Sequence, residues 1–214
     1  MVSDRLIPPV FSLALGRSNS DESYIAFGGL PPVKVDGNFT STPLIPAPGS
    51  SSTEFTTYRL DVDAFTYGGY PNASAVKPGQ FGGNALTDSG TITINVPNDI
   101  ADAYNKLFDP PAIFPAEVGF WIIDCKAHGP KEPFYVVINS TTFTFPGSDF
   151  VLGDVLLSDN GIGGKYGNYC FSGIQEGGIW NSTGHFTLGR PFMQNVVAVH
   201  DVGAQEMRFA QRKY

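Results

Sequence analysis

From Tyr58 to Asp63 the chain alternates: Tyr58, Leu60 and Val62 are apolar, whereas Arg59, Asp61 and Asp63 are polar. That period of two predicts a half-buried strand. Ser23 to Phe27 also reads as a strand and runs into Gly28-Gly29 and Pro31-Pro32, which stop it. Phe134 to Ile138 and Thr141 to Phe145 flank Asn139-Ser140 and predict a hairpin. Asn195 to Val199 is a nearly continuous apolar run of the kind that crosses a sheet interior, and Met207 to Ala210 predicts a short final strand. One segment has a different rhythm. Ile100, Ala103, Tyr104, Leu107 and Phe108 fall at helical spacing, with Asn98 placed to cap the helix and Pro110-Pro111 to end it. Pro46 to Thr53 and Asp159 to Asn168 read as loops, and no internal repeat is visible.

Composition narrows the class. With 25 glycines, 17 prolines, 13% aromatic and only 15% charged residues, the chain suits a turn-rich, mostly β protein. Its 214 residues suffice for one well-buried domain, and no linker divides residues 1–214 into two. A net charge of −7 argues against nucleic acid or an anionic membrane as partner, and no apolar run approaches a membrane span. So few charges leave few carboxylate–ammonium pairs to lose when acids protonate, which suits work at low pH.

The candidate chemistry sits at Asp88-Ser89-Gly90-Thr91, a tight turn between an apolar segment (Ala85, Leu86) and an alternating one (Ile92, Ile94, Val96). By itself this is a β-turn, since Asp, Ser and Gly all form turns. Cys125 and Cys170 make an even cysteine count, and Asn38, Asn72, Asn139 and Asn181 each begin a glycosylation sequon. Together they favour a secreted protein with one disulfide, two buried free thiols being the alternative. Met1 to Arg5 is polar and has no signal-peptide character, so either an export signal is expected upstream of this chain or the chain is the product of a shortened gene.

The order of these features resembles the C-terminal lobe of a fungal pepsin-like (family A1) aspartic protease. The resemblance runs along nearly the whole chain. Phe11-Ser12-Leu13 and Phe27-Gly28-Gly29 resemble the segment entering that lobe, and Thr42-Pro43-Leu44 with Tyr58 to Val62 the strands leading to its catalytic loop. Asp88 to Thr91, Pro97 and the following helix come in register, and Cys125 and Cys170 match the lobe's disulfide positions. Thr187-Leu188-Gly189-Arg190-Pro191-Phe192 resembles the element threading beside the aspartate loop, and Val197 to Val202 with Arg208-Phe209-Ala210 the terminal strands.

The resemblance implies a mostly β pepsin-like lobe with one or two short helices, the N-terminal lobe being absent. Asp88 would be the lobe's catalytic carboxylate. Gly90 would let amides approach it, the Thr91 hydroxyl would donate to it, and Ser89 would bond to the partner lobe's loop. Gly189 would permit a close chain crossing. There are departures: Thr87 stands at a usually apolar position, Ile92 at a position often Ser or Thr, and Arg190 where many members have Asp. Val151-Leu152-Gly153-Asp154 spells the usual threading element but precedes Cys170, so the role falls to Gly189.

Other chemistries find little support. His128, His185 and His200 are scattered, with no metal-ligand spacing, and surface or core roles suit them. No Gly-x-Ser-x-Gly occurs, and Gly161-Ile162-Gly163-Gly164 lacks the context of a phosphate loop. Ile179 and Trp180 are candidates for a substrate subsite or a loop anchor. No metal or cofactor is called for. Two function classes follow. In one, the chain is a lobe of an acid endopeptidase acting on polypeptides, secreted or vacuolar, and active only with an N-terminal lobe in the same precursor or a second chain. In the other, it is a non-catalytic lone lobe, a binding or pseudoenzyme module.

Overall fold

In the computed structural model the described residues are 6–17, 21–46, 55–68, 83–158, 161, 164–180 and 183–214. The chain builds β1 (Val10–Ala14), β2 (Tyr24–Phe27), β3 (Val35–Pro43), β4 (Arg59–Val62) and β5 (Ala64–Tyr67). After these come β6 (Gly83–Thr87), β7 (Ile94–Val96) and helix α1 (Asn98–Asn105). Strands β8 (Ile122–Asp124), β9 (Phe134–Ile138), β10 (Thr141–Phe145), β11 (Val151–Leu156), β12 (Tyr169–Ser172) and β13 (Ile174–Glu176) follow. The order closes with β14 (Gly178–Trp180), β15 (Thr183–Leu188), α2 (Arg190–Met193), β16 (Val196–Asp201) and β17 (Glu206–Arg212). No helix among the described residues is long and apolar enough to cross a membrane.

Strands dominate where the pattern predicts them. In β4 the alternation is realised: Leu60 and Val62 are buried and Asp61 is exposed. The β9–β10 hairpin turns at Asn139 and Ser140, both at positive φ, the geometry that joins strands without splaying them.

The helix departs from expectation. Pro97, not Asn98, occupies the cap position, and no side chain caps the end; Asn98 is already in the first turn and exposed. The helix ends at Asn105, well before Pro110. Its buried face is Ile100, Ala101, Tyr104 and Asn105, while Ala103 is half-buried and Leu107 exposed. A polar network sets this rotation. Asn105 Nδ2 donates to the carbonyls of Ala101 (2.9 Å) and Ile174 (3.1 Å), and its Oδ1 accepts from Ser172 Oγ at 2.7 Å. A buried amide with its hydrogen bonds met fixes the face that Leu107 was expected to share.

Two sheets frame the rest. One has the order β2-β1-β16-β17-β3, with Phe11 opposite His200 and Leu13 opposite Ala198. Its inner side gives Ala198, Met207 and Phe209 to the main core; its outer side carries a second cluster around Ala14, Val197 and Val199. The other has the order β13-β7-β15-β6-β4, with β14 paired to β15. Cys125 and Cys170 form a disulfide, with Cα atoms 5.0 Å apart. It closes 45 residues of separation, worth about 4 kcal/mol on the chain-entropy model.

Candidate active site

Strand β6 alternates inward, burying Gly83, Ala85 and Thr87, and is followed directly by Asp88. The chain turns through the exposed Ser89 and Gly90 and re-enters the same sheet as β7. Strand β15 lies between these two, parallel to β6 and antiparallel to β7. Its C-terminal end therefore passes the turn. Asp88 N donates to Leu188 O at 3.2 Å, and Arg190 N donates to Thr91 O at 2.8 Å.

The carboxylate is held at both oxygens. Gly90 N–H donates to Oδ1 at 2.9 Å, and the Thr91 hydroxyl donates to Oδ2 at 2.6 Å. A Cβ on Gly90 would stand 3.2 Å from Oδ1, tighter than most such contacts. At Gly189 the crossing is closer still, since a Cβ there would lie 2.1 Å from Thr93 O and 2.5 Å from Thr91 O. No side chain can occupy that space while the backbone stays in place.

Behind the turn lies an aromatic layer. Thr87 N donates to Tyr58 O at 2.9 Å, tying the approach strand to Tyr58. The Tyr58 ring meets His200 edge-on at 4.6 Å, and Phe11 stacks on the imidazole at 4.2 Å. His200 is only 3% exposed and its Nδ1 has no hydrogen-bond partner among the described residues. Burial pushes its pKa from 6.5 down to about 4. The Thr87 hydroxyl is likewise buried without a partner among the described residues.

Beside the turn opens a cavity of about 530 Å³, within the range of small-ligand pockets. Ile92, Phe114, Phe120, Phe171 and Glu176 contribute to its lining.

A profile of the eukaryotic aspartyl protease family matches residues 1–212. The chain belongs to that family. It is 35% identical, over 98% of its length, to a protein named "Probable aspartic-type endopeptidase" from Aspergillus fumigatus. It is 26% identical over its whole length to vacuolar protease A of Neurospora crassa, and 24% identical over 96% of its length to human gastricsin. The chain spans about half the length of these curated relatives: 46%, 47% and 47%. The strand-rich architecture with two short helices is that of a pepsin-like lobe.

Within this aspartyl protease lobe, Asp88, Gly90 and Thr91 come together in one turn with Ser89 at its exposed tip, and Gly189 crosses beside it. Val151 to Asp154 lies elsewhere, on β11, where a Cβ at Gly153 would approach only Cys125 O, at 3.5 Å. The departure at Arg190 gains a reason, because its guanidinium meets Asp154 at 2.9 Å. Of the sequons, Asn38 is exposed on β3 and Asn139 on the hairpin turn, its amide donating to Ser41 O at 3.0 Å. Asn72 and Asn181 lie outside the described residues, as do the side chains of Ile179 and Trp180. Sequence reading missed the cavity wall. The dense aromatic spacing of Phe114, Phe120 and Trp121 was the available signal.

Proposed function

We propose that this chain is the C-terminal lobe of an acid endopeptidase, with Asp88 as one carboxylate of a catalytic pair. The observation that carries this is the Asp88 carboxylate held at one oxygen by Gly90 N–H and at the other by the Thr91 hydroxyl. In such a pair one ionised carboxylate takes a proton from the attacking water while a protonated partner polarises the peptide carbonyl, and closeness keeps both from ionising at once. Collapse of the tetrahedral species sends a proton to the leaving amine. This chain supplies one carboxylate, and the second belongs to an N-terminal lobe in the same precursor or in a second chain. Ser89, exposed at the turn tip, bonds the partner loop. Ile25 and Phe27 on edge strand β2, 57% and 62% exposed, support a seam covered by that lobe. The disulfide and the exposed Asn38 and Asn139 support a secreted or vacuolar setting with glycans at those positions.

The test is an acid-pH peptide assay of the chain alone, of the chain joined to an N-terminal lobe, and of the joined Asp88→Asn variant. Activity is expected only in the joined native form. Activity of the chain alone that vanishes in Asp88→Asn would replace the two-lobe reading with a self-paired dimer. Peptide hydrolysis by the joined Asp88→Asn form would remove Asp88 from the chemistry.

A further inference from the structure

The cavity beside the Asp88 turn joins three partly exposed aromatic faces to one carboxylate. Phe114 and Phe120 are 41% and 48% exposed, and the half-buried Phe171 meets Phe120 edge-on with ring centroids 5.7 Å apart. Aromatic surface left open inside a cavity awaits an apolar or cationic partner. The polar lining is mostly spent. Gln175 Oε1 accepts from Trp121 N at 2.8 Å, and its Nε2 donates to Trp121 O and Ser172 O, both at 2.8 Å. Asn95 Oδ1 accepts from the Thr93 hydroxyl at 2.8 Å.

Glu176 differs. It stands half-buried at the end of β13, paired with Val96 of β7, and among the described residues is the only charged one lining the cavity. Its carboxylate has no ion pair or hydrogen bond to a described residue. No lysine or arginine lines the cavity among the described residues.

We propose that this cavity accepts a lysine or arginine side chain of the polypeptide substrate, its stem and charged head against Phe114, Phe120 and Phe171 and its charge answered by Glu176. This rests on the endopeptidase reading above and makes Glu176 a specificity-determining residue. Position supports it. Ile92 of the lining lies four residues beyond Asp88, so its Cα is at most about 14 Å from that residue. An extended peptide advances about 3.3 Å per residue, which puts the basic side chain within about four residues of the cleaved bond. A partly exposed ion pair plus a cation–π contact amounts to about a tenfold preference over an uncharged side chain of equal length.

Two measurements decide it. In the first, acetyl-Ala-Arg-Ala-amide and acetyl-Ala-norleucine-Ala-amide are titrated into the chain alone at pH 6, followed by amide NMR shifts at Phe120, Phe171 and Gly177. The arginine peptide is expected to bind about tenfold more tightly, and Glu176→Gln or added salt to erase the difference while the norleucine peptide is unaffected. In the second, the joined two-lobe enzyme is given a peptide series with Arg, Lys or norleucine at each of the four positions on either side of the bond. A preference for the basic residues in kcat/KM at one position, lost in Glu176→Gln, is expected. Equal binding of the two peptides, or a preference that survives Glu176→Gln, overturns the proposal. If peptides are cleaved without a basic preference, the endopeptidase reading stands and this inference falls. If none is cleaved, the endopeptidase reading falls, and the NMR titration still decides what the cavity binds.

Discussion

Val151-Leu152-Gly153-Asp154 and Thr187-Leu188-Gly189-Arg190 carry the same Leu-Gly core, and each sets the glycine before a charged residue. Their surroundings differ completely. Gly153 is exposed on β11, with a single backbone oxygen near the site of a Cβ, at 3.5 Å. Gly189 is wedged against two carbonyls of the loop that leaves Asp88. The two segments even touch, through the Asp154–Arg190 ion pair. A four-residue word therefore does not carry a role here. What the chain brings alongside it does.

The sharpest way to break this comparison is to add one methyl group at each glycine. Gly189→Ala forces the backbone of the Asp88 turn to move and is expected to cost more than about 4 kcal/mol in urea unfolding, or to prevent folding. Gly153→Ala should stay within about 1 kcal/mol of the native chain. Equal losses would show the two segments to be equivalent after all.

Acid should separate the two regions next. Gly189 feeds α2 and β16, and β16 carries His200 in its aromatic box; β11 has no such group among its residues. The folded chain keeps His200 neutral down to about pH 4, whereas the unfolded chain takes up a proton below 6.5. The stability contributed by the neutral ring is thus complete above pH 6.5, declines as pH falls towards 4, and is constant below. The full change is about 3 kcal/mol. His200→Phe should flatten this stretch of the stability-versus-pH curve, and hydrogen exchange should show β1 and β16 loosening before β11. A native curve already flat between pH 6.5 and 4 would refute the assignment.

A smaller gain is expected at Thr87. Its buried hydroxyl has no partner among the described residues, so Thr87→Val, which keeps the shape, should raise stability by about 1 kcal/mol. A loss of stability there would mean that the hydroxyl has found a partner. The smallest effect belongs to the contact between the two segments. With side-chain exposures of 24% and 50%, the Arg190–Asp154 pair should show a coupling below about 1 kcal/mol in a double-mutant cycle of Arg190→Gln and Asp154→Asn.

How much of this could be read from the letters depended on how local the cause was. The β9–β10 hairpin and β4 follow from neighbours in sequence, and their pattern predicts them closely. The face of α1 does not, because Asn105 is fixed by Ser172 and Ile174, far along the chain. The Asp88 turn was legible as a turn, and resemblance marked Gly189. Neither reveals that β15 inserts between β6 and β7, which is what presses the glycine against the loop. The cavity was invisible for the same reason, since Phe114 and Phe120 are brought against Phe171 and Glu176 from two stretches far apart in the chain. The loop predicted over Pro46 to Thr53 lies mostly outside the described residues.

The wedge of β15 between β6 and β7 also governs when the site can exist. During synthesis Asp88 emerges long before Leu188, and Phe11 long before the His200 it pairs with. Pairings of such long range carry a large loop-closure entropy and make folding slow. Until the last strands leave the ribosome, β6 lacks its parallel neighbour and the Asp88 carboxylate hangs on an unsupported loop. A growing chain of this kind carries its aspartate without the lattice that aims it, and the exposed strand edges of that interval are where chaperones would engage.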